Sequence, residues 1–316
     1  MAILLAAMLA VAFLSAASGG RSWALTAEPR LQLRGDLRLP GEAGVGVARV
    51  RAGWIVAGAD ALVRLDDALA PIRSVAPAIP SEWRAEGYSR LGDLDVVGGI
   101  VYVPFARAGS GEIDATGGRQ AVARYDARTL RFLDAVEVAQ PDIAFVAIEP
   151  RAQVAYSMAR VDGSELLRYD IADGWRPLPP LGLGRTIEGV RGADFAGGAV
   201  WLSADDDRHG VYQVDSRSGV VRDLGSAGHF DGTIGGIDVT PVGRARVHVA
   251  VTDTAGAALT GFGVVGDEPE PAGEGQSGWP PVLVMGAVVL VVAAGGASAV
   301  LVYRAWIGLR PRPRRT

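Results

Sequence analysis

Three carboxylates stand at equivalent places in the sequence. Asp95, Asp194 and Asp238 each sit in an apolar stretch ("LDVVGG", "ADFAGG", "IDVTPVG"), just ahead of a turn and another strand-like run. Carboxylates that meet at one axis repel each other unless they pair with Arg or with a hard cation such as Ca²⁺ or Mg²⁺. The trio is therefore a candidate metal site and a candidate ligand site. The competing reading is that each Asp bonds the backbone of a neighbouring loop and ties repeated units together. Arg49 falls near the same position of the first unit. Asp93, in "GDLDVVGG", has no counterpart in the other units, which makes it and nearby Arg90 the stronger candidates for contact with a ligand.

Two further stretches carry reactive side chains. In "SAGHFDGTIGGID", His229 and Asp231 are two apart, so they share a face if the chain is extended. A His held by a carboxylate is a candidate general base, but no GxSxG motif is present and no nucleophilic Ser is marked. A bond that merely orders the loop is the competing role. The segment "PSEWRAEGYSR" places Trp83, Tyr88, Arg84 and Arg90 in one long connection. Aromatic and Arg residues on a loop anchor binding surfaces, and they equally cap the edge of a sheet. "SADDDRHG" (203–210) offers three carboxylates and His209 as metal ligands, but a hairpin would turn alternate side chains to opposite faces, and the competing reading is a solvated acidic turn.

Composition removes several chemistries. Among 316 residues there is no Cys, no Lys and no Asn, and the net charge is −4. Thiol nucleophiles, thiolate metal sites and disulfides are excluded by the first absence. A P-loop lysine and a Schiff base are excluded by the second, an Asn metal ligand and N-glycosylation by the third. The acidic balance gives no electrostatic reason to expect nucleic acid as a partner.

Short segments rich in Val, Tyr and Trp, separated by Gly or Asp turns, must position these residues. Lining up the Gly-turn-strand unit gives five passages whose starts lie roughly 45 to 50 residues apart, the period of a four-stranded propeller blade. Asp66, Asp126, Asp170 and Asp215 each close a strand-like phrase (ALVRLD, AVARYD, LLRYD, VYQVD) before a turn. An Asp there bonds its own backbone a few residues on and starts a hairpin. The fold class expected is all-β, a β-propeller with five blades, or six if another hides in residues 71–91. The fifth unit runs out after "LTGFGVV", so residues 30–39 ("RLQLRGDLRL") are expected to complete it and remove an exposed edge.

The Asp-turn-strand phrase, as in "VYQVDSRSGVVRDL" and "VARYDARTLRFLDAV", resembles secreted bacterial β-propellers of the YVTN/NHL/SMP-30 type. The whole also resembles actinobacterial ectodomains with a single C-terminal span. The resemblance implies the fold and leaves function open. Its gluconolactonase-like branch holds a divalent cation with carboxylates and Asn side chains, a set this chain cannot supply without Asn.

The chain's two ends are apolar. Residues 1–17 ("MAILLAAMLAVAFLSAA") read as a secretory signal peptide. Residues 18–265 form the extracellular propeller and 266–280 an acidic Pro/Gly linker. From Pro281 to Tyr303 no charge occurs, enough to cross a hydrocarbon core of ~30 Å as a transmembrane helix. Residues 304–316 carry an Arg cluster, so the positive-inside rule puts this tail in the cytoplasm and the N-terminal domain outside. The expectation is a single-pass, membrane-anchored module that binds an extracellular ligand or protein. The alternative is a metal-assisted, lactonase-like hydrolase using the channel carboxylates, with Ca²⁺ or Mg²⁺ as its cofactor.

Overall fold

The middle strands of the chain are near-continuous apolar runs such as GWIVA and AVWLSA, because each sheet built from them has two faces to bury. The computed structural model describes residues 30–39, 44–107, 119–158, 163–228, 231–240, 246–254 and 256–265. They form a five-bladed β-propeller of antiparallel sheets. Blade 1 contains β2 (Gly46–Val50), β3 (Gly53–Ala57), β4 (Leu62–Leu65) and β5 (Pro71–Val75). Blade 2 contains β6 (Tyr88–Leu91), β7 (Asp95–Val97), β8 (Ile100–Arg107), β9 (Arg119–Asp126) and β10 (Phe132–Ala139). Blade 3 contains β11 (Ala147–Glu149), β12 (Val154–Ser157), β13 (Glu165–Asp170) and β14 (Arg176–Gly182). Blade 4 contains β15 (Val190–Ala196), β16 (Ala199–Ala204), β17 (Gly210–Asp215) and β18 (Val221–Ser226). Blade 5 contains β19 (Gly232–Thr240), β20 (Arg246–Asp253), β21 (Gly256–Val265) and β1 (Arg30–Arg38).

Burial divides into five apolar clusters, one between each pair of neighbouring blades. Ile55 and Leu62 of blade 1 meet Val103, Phe105 and Tyr125 of blade 2, while Trp54 and Val56 on the other face of β3 meet Ala250 and Leu259 of blade 5. The remaining interfaces are built the same way: Val122 with Ile148 and Tyr169, Tyr156 with Val200 and Leu202, and Trp201 with Val249 and Phe262. Period-two alternation along the middle strands supplies both faces.

The Asp at the end of the third strand is a turn device, as its recurrence implies. Asp66 Oδ1 accepts the N–H groups of Ala68 and Ala70, and Asp126 Oδ1 accepts the Thr129 N–H and hydroxyl. Asp170 accepts from the Asp173 N–H, and Asp215 from the Arg217 and Ser218 N–H groups. The paired glycines Gly98–Gly99 and Gly197–Gly198 all have positive φ, the requirement of the tight hairpins that join the first and second strands of blades 2 and 4.

Residues 71–91 hold no sixth blade. They supply β5, a short helix α1 (Ser81–Ala85) and β6, which pairs with β8. The first strand of blade 2 is thus broken into β6 and β7, both paired to β8, with residues 92–94 between them. Among the described residues no helix is long and apolar enough to cross a membrane. The signal peptide (1–17), linker (266–280), membrane span (281–303) and tail (304–316) inferred from sequence lie outside the described residues.

Ring closure is as the sequence implied: β1 runs antiparallel to β21 from Arg30 opposite Val265 to Arg38 opposite Ala258. Shortening the chain to begin at Leu39 strips the outer strand of blade 5 and bares the edge of β21. The expected outcome is a midpoint of thermal unfolding lower by at least about 10 °C and self-association at the exposed edge, read by calorimetry and light scattering. An unchanged midpoint would show that β1 contributes nothing to closure.

Candidate functional site

The break in the first strand of blade 2 exists to seat Asp93. Its side chain is completely buried, at 0% exposure, and its carboxylate accepts four backbone N–H groups. Oδ1 receives Val47 of blade 1 and Leu94, both at 3.0 Å. Oδ2 receives Ala193 of blade 4 at 2.9 Å and Ile237 of blade 5 at 3.2 Å. The Asp93 backbone reaches blade 3, giving its N–H to the Ala144 carbonyl at 2.8 Å and accepting from the Val146 N–H at 3.3 Å. One residue therefore bonds to all four other blades.

Side chains on the converging strands would obstruct this arrangement. A Cβ on Gly192 would lie 2.6 Å from Asp93 Oδ2, and one on Gly236 would collide with Oδ1. Glycine at these positions leaves room for the carboxylate and lets the inner strands approach one another. Burial drives the Asp93 carboxyl well above the ordinary carboxylate range, and the four amide bonds oppose that drive. All four donors are N–H groups, so the geometry suits the ionised form.

One step further along the inner strands lie Asp95, Asp194 and Asp238. Each accepts an amide of the next blade in the ring: Ile148 N–H to Asp95 Oδ2 at 2.7 Å, Val239 N–H to Asp194 Oδ2 at 2.6 Å, and Arg49 N–H to Asp238 Oδ1 at 2.6 Å. The three are also near enough to feel one another's charge. Desolvation, offset by the Ile148 and Val96 amides and reinforced by Asp238, pushes Asp95 up to about 7. Desolvation and the charges of Asp95 and Asp238 hold Asp194 well above the usual range. The reading in which each Asp ties one blade to the next is the one these bonds express. Among the described residues no three His, Cys, Asp or Glu side chains are grouped to hold a metal ion.

Other sequence-predicted residues are placed as follows. Tyr88 is buried and donates its hydroxyl to Glu137 at 3.0 Å, with the Arg107 guanidinium over its ring at 4.6 Å. Burial raises its pKa to about 12. Trp83 packs edge-on against Tyr88 and Phe105, so this pair caps the blade 2 sheet. Asp231 is exposed, and His229 lies outside the described residues.

Arg90 is different. It lines a recess of about 360 Å³ at the end of the inner strands, together with Val45, Leu91, Gly92, Arg191 and Ile234. Nε of Arg90 and Nε of Arg191 are both buried without a hydrogen-bond partner. Arg191 also pairs through Nη2 with Asp205 at 3.2 Å. Sequence reasoning passed over Arg191, although "SRLGD" and "GVRGAD" each place an Arg just ahead of a glycine on the first strand of a blade.

The strands and their ring closure define the class of this protein, a five-bladed β-propeller. No protein family and no curated protein matches the chain. Among solved structures it is similar to a luciferin-regenerating enzyme, 12% identical over 72% of this chain and 76% of that one, with a TM-score of 0.47.

Two outcomes are expected. Asp93→Asn keeps one acceptor oxygen but turns an NH₂ toward buried N–H groups, and urea unfolding should show a loss of about 4 kcal/mol or more. A loss below about 1 kcal/mol would remove Asp93 from its place as the hub. Asp95 has a raised folded-state pKa, so the folded protein holds a proton that the unfolded chain releases between about 4 and about 7. Stability must then fall as pH rises through that window. Melting at pH 5 and pH 8 should show a smaller drop for Asp95→Asn than for the unaltered protein; equal drops would assign the dependence to other groups.

Proposed function

We propose that this propeller is a membrane-anchored extracellular binding module, held by the 281–303 span, which takes its ligand at the recess lined by Arg90. The single observation that carries the reading is the division of labour along the inner strands. Asp93, Asp95, Asp194 and Asp238 are committed to amides that join the blades. The arginines at the strand ends line an open recess instead, and Arg90 makes no ion pair among the described residues. A channel whose carboxylates hold its own walls together suits binding better than hydrolysis. The closer kinship to YVTN/NHL/SMP-30 propellers belongs to this proposal, supported by the Asp-turn phrase that closes four third strands.

The rival reading, a lactonase-like hydrolase with Ca²⁺ or Mg²⁺ at the carboxylates, finds support in their proximity. Metal analysis and melting with and without EDTA separate the two, alongside protease treatment of intact cells carrying a C-terminal tag. The expected result is digestion of the propeller from outside, a protected tag and a melting midpoint indifferent to EDTA. A stoichiometric divalent cation whose removal lowers the midpoint would replace the binding module with the hydrolase, and a propeller inaccessible from outside would sink the anchored topology.

A further inference from the structure

The recess between Arg90 and Arg191 has a composition that selects its ligand. We infer that it binds the carboxylate of a small organic acid with an apolar body, an assignment that rests on the binding-module reading and names its ligand class. Charge comes first. No Asp or Glu lines the recess among the described residues, while two guanidinium groups do. Asp205 pairs with Arg191 at 3.2 Å and largely offsets its charge. Arg90 has no ion pair among the described residues, which leaves the recess close to one net positive charge. That matches a monoanion better than a phosphate dianion.

Hydrogen bonding points the same way. Arg90 and Arg191 both line the recess, and a guanidinium without a carboxylate partner has N–H donors to give to an acceptor that enters. The fork of a guanidinium fits the two oxygens of a carboxylate. Thr233 and Thr252, both exposed, add hydroxyl groups at the rim. The rest of the lining is apolar or backbone: Val45, Leu91, Ala144 and Ile234 beside Gly92 and Gly235. At about 360 Å³ the cavity falls in the range that holds small molecules. Gly92 and Gly235 each precede the layer around Asp93, whose bonds to the other blades form the floor. A ligand here sits above the hub and does not reach Asp95, Asp194 or Asp238.

The test is calorimetric titration of the full chain in detergent with butyrate and benzoate, with their primary amides and inorganic phosphate as controls. Both acids are expected to bind, the amides not to bind, and phosphate to bind more weakly than either acid. Arg90→Gln should weaken acid binding at least about tenfold without altering the melting midpoint, and Arg90→Lys should restore only part of it, because an ammonium lacks the fork. Arg191→Gln should weaken it as well. Failure of both acids to bind, equal binding by the amides, tighter binding by phosphate, or indifference to Arg90→Gln each overturns the assignment. Any of these results obtained with an externally exposed, EDTA-indifferent protein leaves the binding module standing with a different ligand. A stoichiometric metal overturns the module itself.

Discussion

Everything in this propeller converges on the bonds made by Asp93. A propeller is held by apolar contact between neighbouring blades, and such contact fixes each blade only to the next. Asp93 adds direct bonds across the ring, from blade 2 to blades 1, 4 and 5 through its carboxylate and to blade 3 through its backbone. Hydrogen bonds to an ionised acceptor are among the stronger ones a protein makes. Four buried amides that lost this acceptor would each be left unsatisfied, away from water. The broken first strand of blade 2 and the glycines at 46, 192 and 236 are consequences of that one requirement.

Much of the fold was legible in the sequence because its signals are local. The turn carboxylates at 66, 126, 170 and 215 bond groups within four residues, so a repeated phrase reveals them. The closing strand at 30–38 was legible by subtraction, since the last unit lacked one strand and the first segment lacked a unit. The register of Asp95, Asp194 and Asp238 could be read from the same repeat. Their partners could not, because each lies in the next blade, 45 to 189 residues away.

Asp93 shows where sequence reasoning stops. Its departure from the repeat is visible in the sequence, and residue type alone points to ligand contact. The actual cause is a set of backbone donors 46, 100 and 144 residues distant, none of which advertises itself by residue type. An amide N–H is present at nearly every position, so a site built from amides leaves no compositional trace. Only the glycines that make room for the carboxylate carry a trace, and glycine is too common in this chain for three of them to stand out. Trp83 and Tyr88 show the same limit: their types suit a binding surface, yet Phe105, Arg107 and Glu137 take up contacts with them.

The inner strands arrange their chemistry in layers, with arginines first, the Asp93 hub next and the three clustered carboxylates last. In blade 2 the order is Arg90, Asp93, Asp95, and in blade 4 it is Arg191, Ala193, Asp194. Cations and anions are thus kept apart by a layer of paired amides and close-packed glycine backbone. An arginine placed within reach of Asp95 or Asp194 would pair with that carboxylate, and its charge would not be left for anything else. The separation leaves the carboxylates to stabilise contacts between blades and leaves Arg90 facing an open recess. A fold that needs buried carboxylates to close its ring thereby also keeps a cation available at its mouth.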